Sequence, residues 1–360
     1  MSQNNVRRLL RLVPLCASTA CLAQVGTAQL YGVVDLSLNS RQLSGQARTD
    51  ELMNGAMTTS FIGLRGREDL GGGYGALFAL ESFLRADTGS AGRTSADAHW
   101  SRNAWVGLAT PLGTWRLGRQ STPAFLLGNR TNPFGGATGV GPYMMHSYMP
   151  SVTQPMITAN GTGDSAWSNA LSLTSPEFNG TSVALLGALS EGTANGRRWS
   201  VAVNHTGGPW SGGLVVETIS DMNLPWGAPA PTLATPARPL WAASDVQVVL
   251  GGLSYDFGDV KAFAQWQAAD LTSATSADTT TLRTTQLGSS VRVGAGQVLL
   301  SWARTSADLP AGGTQRRDTV ALGYDHWLSR RTDVYAVLLH DVVTRQDGGS
   351  SLAVGVRHSF

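Results

Sequence analysis

Cysteine is almost absent: the 360-residue chain has two, Cys16 and Cys21, both within its first two dozen residues. Beyond them nothing could build a disulfide, a thiolate metal site or a cysteine nucleophile. Charged side chains are also sparse, at 14% of residues, little for a soluble enzyme of this length. No apolar run approaches the roughly eighteen residues that a spanning helix needs, which excludes a helical membrane protein. A membrane protein built from strands survives that test, because alternation dilutes its apolar residues. The six histidines, His99, His146, His205, His326, His340 and His358, stand singly. No HExxH, no GxSxG and no His/Asp/Glu pairing at ligand spacing accompanies them, so no enzyme, metal site or cofactor is expected. Gly71–Gly73 could be a phosphate cradle, but no Lys-Ser/Thr follows and the next element is a strand, which points to a turn.

What is present begins with a leader. Arg7, Arg8 and Arg11 precede an apolar core over Leu12–Ala20, and small residues follow. Residues 1–23 therefore make a secretory signal peptide, with cleavage after Ala23 preferred over Ala28. A lipoprotein site at Cys21 is disfavoured, since Ser18 stands where a leucine is expected. Removing 1–23 takes three arginines and no acid from 26 basic and 24 acidic residues, leaving 23 against 24. The basic pI belongs to the precursor, and nucleic-acid binding loses its compositional support.

From residue 24 to 360 the chain breaks into alternating segments of roughly ten residues, the signature of a transmembrane antiparallel β-barrel. About sixteen are legible: Gln29–Leu38, Thr59–Gly66, Tyr74–Phe83, Trp100–Ala109 and Leu112–Gly118, then eleven more from Trp167–Ser175 to Ser351–Phe360. Every second connection is only a few residues, such as Phe257-Gly258 or Gly294-Ala295; the others run to dozens. Short turns on one side and long loops on the other match a periplasmic and an outer face. A soluble sandwich has no reason to sort its loops in this way. Tyr31, Tyr74, Trp115, Tyr255, Phe257, Trp266, Trp302, Tyr324 and Trp327 gather near strand ends, as interfacial girdles require. His358 and the terminal Phe360 close the last strand and form an insertion signal.

One connection stands apart. Arg119–Ser165 is rich in Gly and Pro, holds no acid before Asp164, and has almost no regular pattern of its own. A structureless loop of about 45 residues is tolerated when it has a task; here it is expected to fold into the barrel and narrow it. Inward parity places Arg65, Arg116, Lys261, Arg292 and Arg357 in the lumen with Asp35 and Glu81. Arg102 and Arg119 lie at strand ends, and Arg130 lies in the loop. The narrow zone is thus expected to be neutral to positive, with a modest anion preference. Phe134, Tyr143, Met144, Met145 and Tyr148 either line the hole or pack the loop against the wall, and Tyr143 with Gly141-Pro142 is the segment expected at the narrowest point. Arg357 either lines the hole or pairs with an acid on a neighbouring strand.

The motifs Leu30–Asp35 (LYGVVD), Gly63–Gly73 (GLRGREDLGGG), Leu112–Gln120 (LGTWRLGRQ), Ala137–Met144 (ATGVGPYM), Thr174–Gly180 (TSPEFNG) and Val354–Phe360 (VGVRHSF) occur in this order along the mature chain. In these the sequence resembles the general porins of Gram-negative bacteria, of the β-proteobacterial and neisserial type. That resemblance implies a homotrimer of sixteen-stranded barrels in the outer membrane, each with its third outer loop folded inward. It further implies passive diffusion of small hydrophilic solutes, contact with membrane lipid and lipopolysaccharide, and delivery by the outer-membrane assembly machinery. Arginine-lined members of the family carry three arginines at positions that here are Phe61, Arg102 and Ala166; only Arg102 is retained. A solute-specific channel, or an adhesive or structural barrel in which conduction is incidental, is the alternative.

Overall fold

The computed structural model describes residues 27–149, 164–191, 196–224, 241–274, 278–308 and 313–360. The leader, much of the Pro-rich connection 224–239 and the far part of the long loop lie outside them. Strands dominate. In chain order they are β1 (Thr27–Arg41), β2 (Thr49–Asn54), β3 (Phe61–Gly71), β4 (Tyr74–Arg85), β5 (Ser90–Ala91), β6 (Asn103–Thr110) and β7 (Gly113–Ser121). After the long loop follow β8 (Ala166–Thr174), β9 (Thr181–Ala188), β10 (Arg198–Gly207), β11 (Trp210–Leu224), β12 (Trp241–Asp256) and β13 (Val260–Ser273). The last five are β14 (Thr279–Val293), β15 (Gly296–Asp308), β16 (Thr314–Trp327), β17 (Thr332–Val343) and β18 (Gly349–Ser359).

Each strand pairs antiparallel with its neighbours, and β18 returns to β1, from Val33 opposite Ser359 to Ser40 opposite Leu352. The sheet is a closed barrel. Its wall has sixteen positions. β2 and β3 share one: β3 pairs with the lower half of β1 and β2 with the upper half. β5 is a two-residue pairing with β4 in the loop that follows it. All sixteen expected strands are present. β2 and β5 were not expected: at six and two residues they are too short for an alternation to show.

The outward rows are apolar and open: Leu64, Val106, Leu117, Leu185, Leu214 and Val354 are all exposed. In water such a surface would be a liability; in hydrocarbon it is the requirement. The inward rows carry Ser172, Gln265, Gln286, Ser301 and Thr319. Tyr74, Trp115, Tyr324 and Trp327 sit exposed near the short turns, and Trp210, Tyr255 and Phe257 stack there with centroids 4.4 Å apart in sequence. Tyr31 departs from the expected girdle: it turns into the lumen and donates its hydroxyl to Glu81. The β3–β4 turn needs its glycines, since Gly71, Gly72 and Gly73 have φ of 78°, 60° and 83° in succession. At the seam Phe360 exchanges backbone hydrogen bonds with Gly32 (3.1 and 3.2 Å), and His358 meets the Thr332 hydroxyl at 2.8 Å.

Val354 lies midway along an outward row between Leu352 and Val356, all exposed. Val354→Arg is expected to destabilise the inserted barrel by about 2–4 kcal/mol, measured by denaturant titration in lipid vesicles. An unchanged midpoint would show that this row does not face hydrocarbon.

Candidate functional site: the constriction

The long loop contains two short helices, against the expectation of no regular pattern. α1 (Pro123–Arg130) starts at Thr122, whose Oγ accepts from Phe125 N at 3.2 Å, with proline in the first turn; α2 (Pro142–Tyr148) also starts with proline. Proline fits a first helical turn because the amide it lacks would have no partner there. The residues that suggested a coil are thus helix starts.

Both helices pack on the inner wall, α1 over β10–β12 and α2 over β14–β16. Glu217 on β11 accepts from Ala124 N at 3.1 Å, and Gln265 donates to Gly128 O at 2.8 Å. Tyr143 donates to Gln267 Oε1 at 2.8 Å. His146 lies between threonines, with Nδ1 2.8 Å from Thr305 Oγ1 and Nε2 2.7 Å from Thr319 Oγ1. Burial, reinforced by the positive charge of Arg317, holds this imidazole well below its ordinary pKa, so it docks neutral. Phe134, Tyr143, Met144, Met145 and Tyr148 are all buried in this packing. The placement of Tyr143 at the narrowest point is therefore corrected: it is 1% exposed and fills the space between loop and wall. Arg130 is likewise an anchor, donating to Asn204 Oδ1 (2.8 Å) and Gly212 O (2.9 Å).

With the loop fixed to one side, the passage is left between it and the strands from β1 to β6. A second segment enters from there. Residues 55–60 leave the wall between β2 and β3 and meet the loop: a side chain at Gly139 would lie 2.9 Å from Ala56 Cα, and the hydroxyls of Thr59 and Thr138 are 3.5 Å apart. Asp35 holds this tongue. Its carboxylate accepts from Met57 N (2.9 Å), Thr58 N (2.6 Å) and Tyr335 Oη, and it is fully buried. Asp35 has the expected inward parity, yet it is covered by the tongue and does not line open water.

The narrow zone holds a cavity of about 260 Å³. Arg41, Arg93 and Arg102 reach it, with Asp164 and polar groups of Asn54, Thr58 and Thr138. Arg102 is bound to Glu81 and lies 4.0 Å over the Phe61 ring. Glu81 is buried and also takes hydrogen bonds from Tyr31 and from Asn103 Nδ2 (2.5 Å). Arg93 grips Asp97 through two nitrogens (2.9 Å each) and reaches Asp164 at 2.9 Å. Arg119 binds the other oxygen of Asp164 at 2.5 Å and donates to Ser101 O and Ser168 Oγ. Burial alone would raise the Asp164 pKa, but the guanidiniums of Arg93 and Arg119 outweigh it and hold this carboxyl below the usual range. Asp164 is thus ionised and neutralised in place. Arg41 differs: among the described residues its guanidinium has no ion pair, and its Nε is buried without a hydrogen-bond partner.

The remaining expected residues lie nearer the short-turn end. Arg65 donates to Gln29 Oε1 and stacks on Tyr31 at 4.5 Å; Arg116 stacks on Trp105 at 5.0 Å. The Lys261 ammonium is 5.3 Å over Phe263, and Arg292 is exposed beside the β14–β15 turn. Arg357 is paired, to Asp333 at 3.1 Å and Asp325 at 3.2 Å, and not to Asp35. Sequence reasoning missed Arg41 and Arg93. Arg41 was within reach, because the inward row Asp35, Ser37, Asn39 continues to it. Arg93 lies in a loop and carries no periodic signal.

A closed barrel with a lipid-facing belt, a polar interior and a loop docked inside it defines an outer-membrane channel. The model of the Gram-negative porin family matches residues 12–344. Outer membrane porin protein 32 of Delftia acidovorans is 30% identical over 337 residues, covering 92% of this chain and 88% of that protein. An outer membrane porin of Bordetella pertussis is 26% identical, covering 99% of this chain and 100% of that protein. The structure of the anion-selective porin from Comamonas acidovorans superposes with a TM-score of 0.75 at 24% identity, covering 93% of this chain and 100% of that one, a likeness of fold. The chain belongs to the Gram-negative porin family. It is an outer-membrane channel for passive diffusion, and its relatives are channels, not enzymes.

Asp35→Ala removes the acceptor of three hydrogen bonds under the tongue and is expected to cost about 2 kcal/mol or more. Thermal unfolding in detergent measures the loss, and bilayer recordings should show noisier open states. An unchanged unfolding temperature would remove the tongue's anchor from this account.

Proposed function

We propose that this porin is a general diffusion channel for small hydrophilic solutes with a modest preference for anions, and that it has no enzymatic activity. The carrying observation is the charge count at the constriction. Arg41, Arg93, Arg102 and Arg119 face Glu81, Asp97 and Asp164, and Arg41 is the cation left without an ion pair. Uncompensated charge in a confined, water-filled passage with low-dielectric walls sets the local potential and thereby the relative entry of anions and cations. The anion selectivity stated for the Comamonas structure agrees with this sign. We further propose a homotrimer exported by the leader of residues 1–23; chemical cross-linking of detergent-extracted protein should give a three-chain band, and a monomer alone would overturn that assembly.

Reversal potentials in a KCl gradient test the selectivity. At about 6 Å in a water-like medium one unit charge shifts an ion's energy by about 0.7 kcal/mol, in opposite senses for chloride and potassium. After screening over a Debye length of about 10 Å, Arg41→Gln is expected to lower the chloride-to-potassium permeability ratio by about threefold. Clear cation selectivity of the parent protein would overturn the reading.

A further inference from the structure

We propose that the constriction binds aromatic monocarboxylates in transit, with the carboxylate at Arg41 and the ring against Phe125 of the inward loop. The proposal rests on the anion-channel reading above and names the solute class for the same site.

The cavity has two unlike sides. The barrel side presents guanidiniums, and the loop side presents Phe125, Tyr148 and Met149, with Met53 close by. Phe125 and Tyr148 meet edge to face with centroids 5.3 Å apart; Phe125 stays half-open to the cavity, and Met149 is exposed. An inorganic anion satisfies the first side and leaves the second wet. A neutral sugar does the reverse of neither: it meets an apolar face with hydroxyls and a guanidinium with no charge.

Arg41 is the guanidinium free to take the solute. Arg93 is engaged by Asp97 and Asp164 and has Phe83 beneath it at 4.9 Å; Arg102 is engaged by Glu81 and has Phe61 beneath it. Glu51 stands opposite Asn39, two pairs along from Arg41 and Thr49; its charge acts on Arg41, but the two make no ion pair. Arg41 lines the cavity without an ion pair among the described residues, and a guanidinium offers a planar fork that a carboxylate matches with two bonds. Asp164, held between Arg93 and Arg119, has its charge cancelled and does not repel an entering anion. Aromatic rings favour offset or edge-to-face contact, which an incoming ring can make with Phe125. At about 260 Å³ the cavity admits a single-ring solute and little more.

Single-channel recording of the full-length protein in KCl, with potassium benzoate or potassium acetate titrated in, tests this directly. Benzoate should reduce the conductance saturably, at concentrations at least tenfold below those at which acetate acts. Arg41→Gln and Phe125→Ala should each raise the half-blocking benzoate concentration at least threefold. Should one variant fail to assemble, the benzoate-acetate comparison and the other variant decide. Equal action of the two anions, absence of saturation, or a variant that blocks like the parent overturns the proposal. Anion selectivity in KCl without benzoate block overturns this inference alone, whereas cation selectivity overturns the reading beneath it.

Discussion

Hydrocarbon offers no hydrogen bonds, so each backbone amide and carbonyl that crosses it must find its partner within the protein. A strand satisfies half of that demand on each side and leaves edges; only closure removes them. The pairing of β18 with β1 is therefore the contact on which the other features depend. Once the wall is closed, each strand has one face in lipid and one in water, and alternation follows. The exposed leucines and valines outside, and the glutamines, serines and threonines inside, are consequences of that geometry and not separate facts.

A polar interior solves a second problem. The inward loop must be held in a water-filled tube, where apolar contact with the wall is limited. Glu217, Gln265, Gln267, Thr305 and Thr319 supply acceptors and donors for its two helices, while the buried Tyr143, Met144 and Phe134 exclude water from the join. The same inward rows that keep the lumen wet thus dock the element that narrows it. The helices dock on β10–β12 and β14–β16, and the cavity is lined by the loop, the tongue of residues 55–60 and the guanidiniums of Arg41, Arg93 and Arg102.

The sequence revealed what lipid imposes and hid what it does not. Sixteen strands, the short turns and the inward loop were legible because each carries a period or a length. β2 and β5, at six and two residues, are too short to carry a legible period. The helices α1 and α2 were hidden by the prolines that begin them. Asp35 shows the limit of parity: the rule gave its direction correctly, but could not show that residues 55–60 would cover it. Tyr143 shows the complementary limit, since an aromatic residue in a loop inside a pore can face the hole or the wall, and its bond to Gln267 lies more than a hundred residues away.

Charge is where composition misleads most. Inward arginines outnumber inward acids in the sequence, which suggests a strongly positive hole. In the fold three are spent locally, Arg102 on Glu81, Arg119 on Asp164, Arg357 on Asp333 and Asp325, while Arg65, Arg116, Arg130 and Arg292 make no ion pair among the described residues. A paired guanidinium stiffens the wall and presents a dipole, whose field falls off faster than that of a lone charge. What an ion senses on entry is the remainder after pairing. At the constriction that remainder centres on Arg41, which ends β1 beyond the strand read from the sequence as Gln29–Leu38. Selectivity in such a channel follows from which charges are left without a counter-charge: neutralising Arg41, or unmasking Glu81 by neutralising Arg102, each changes the local charge by one unit.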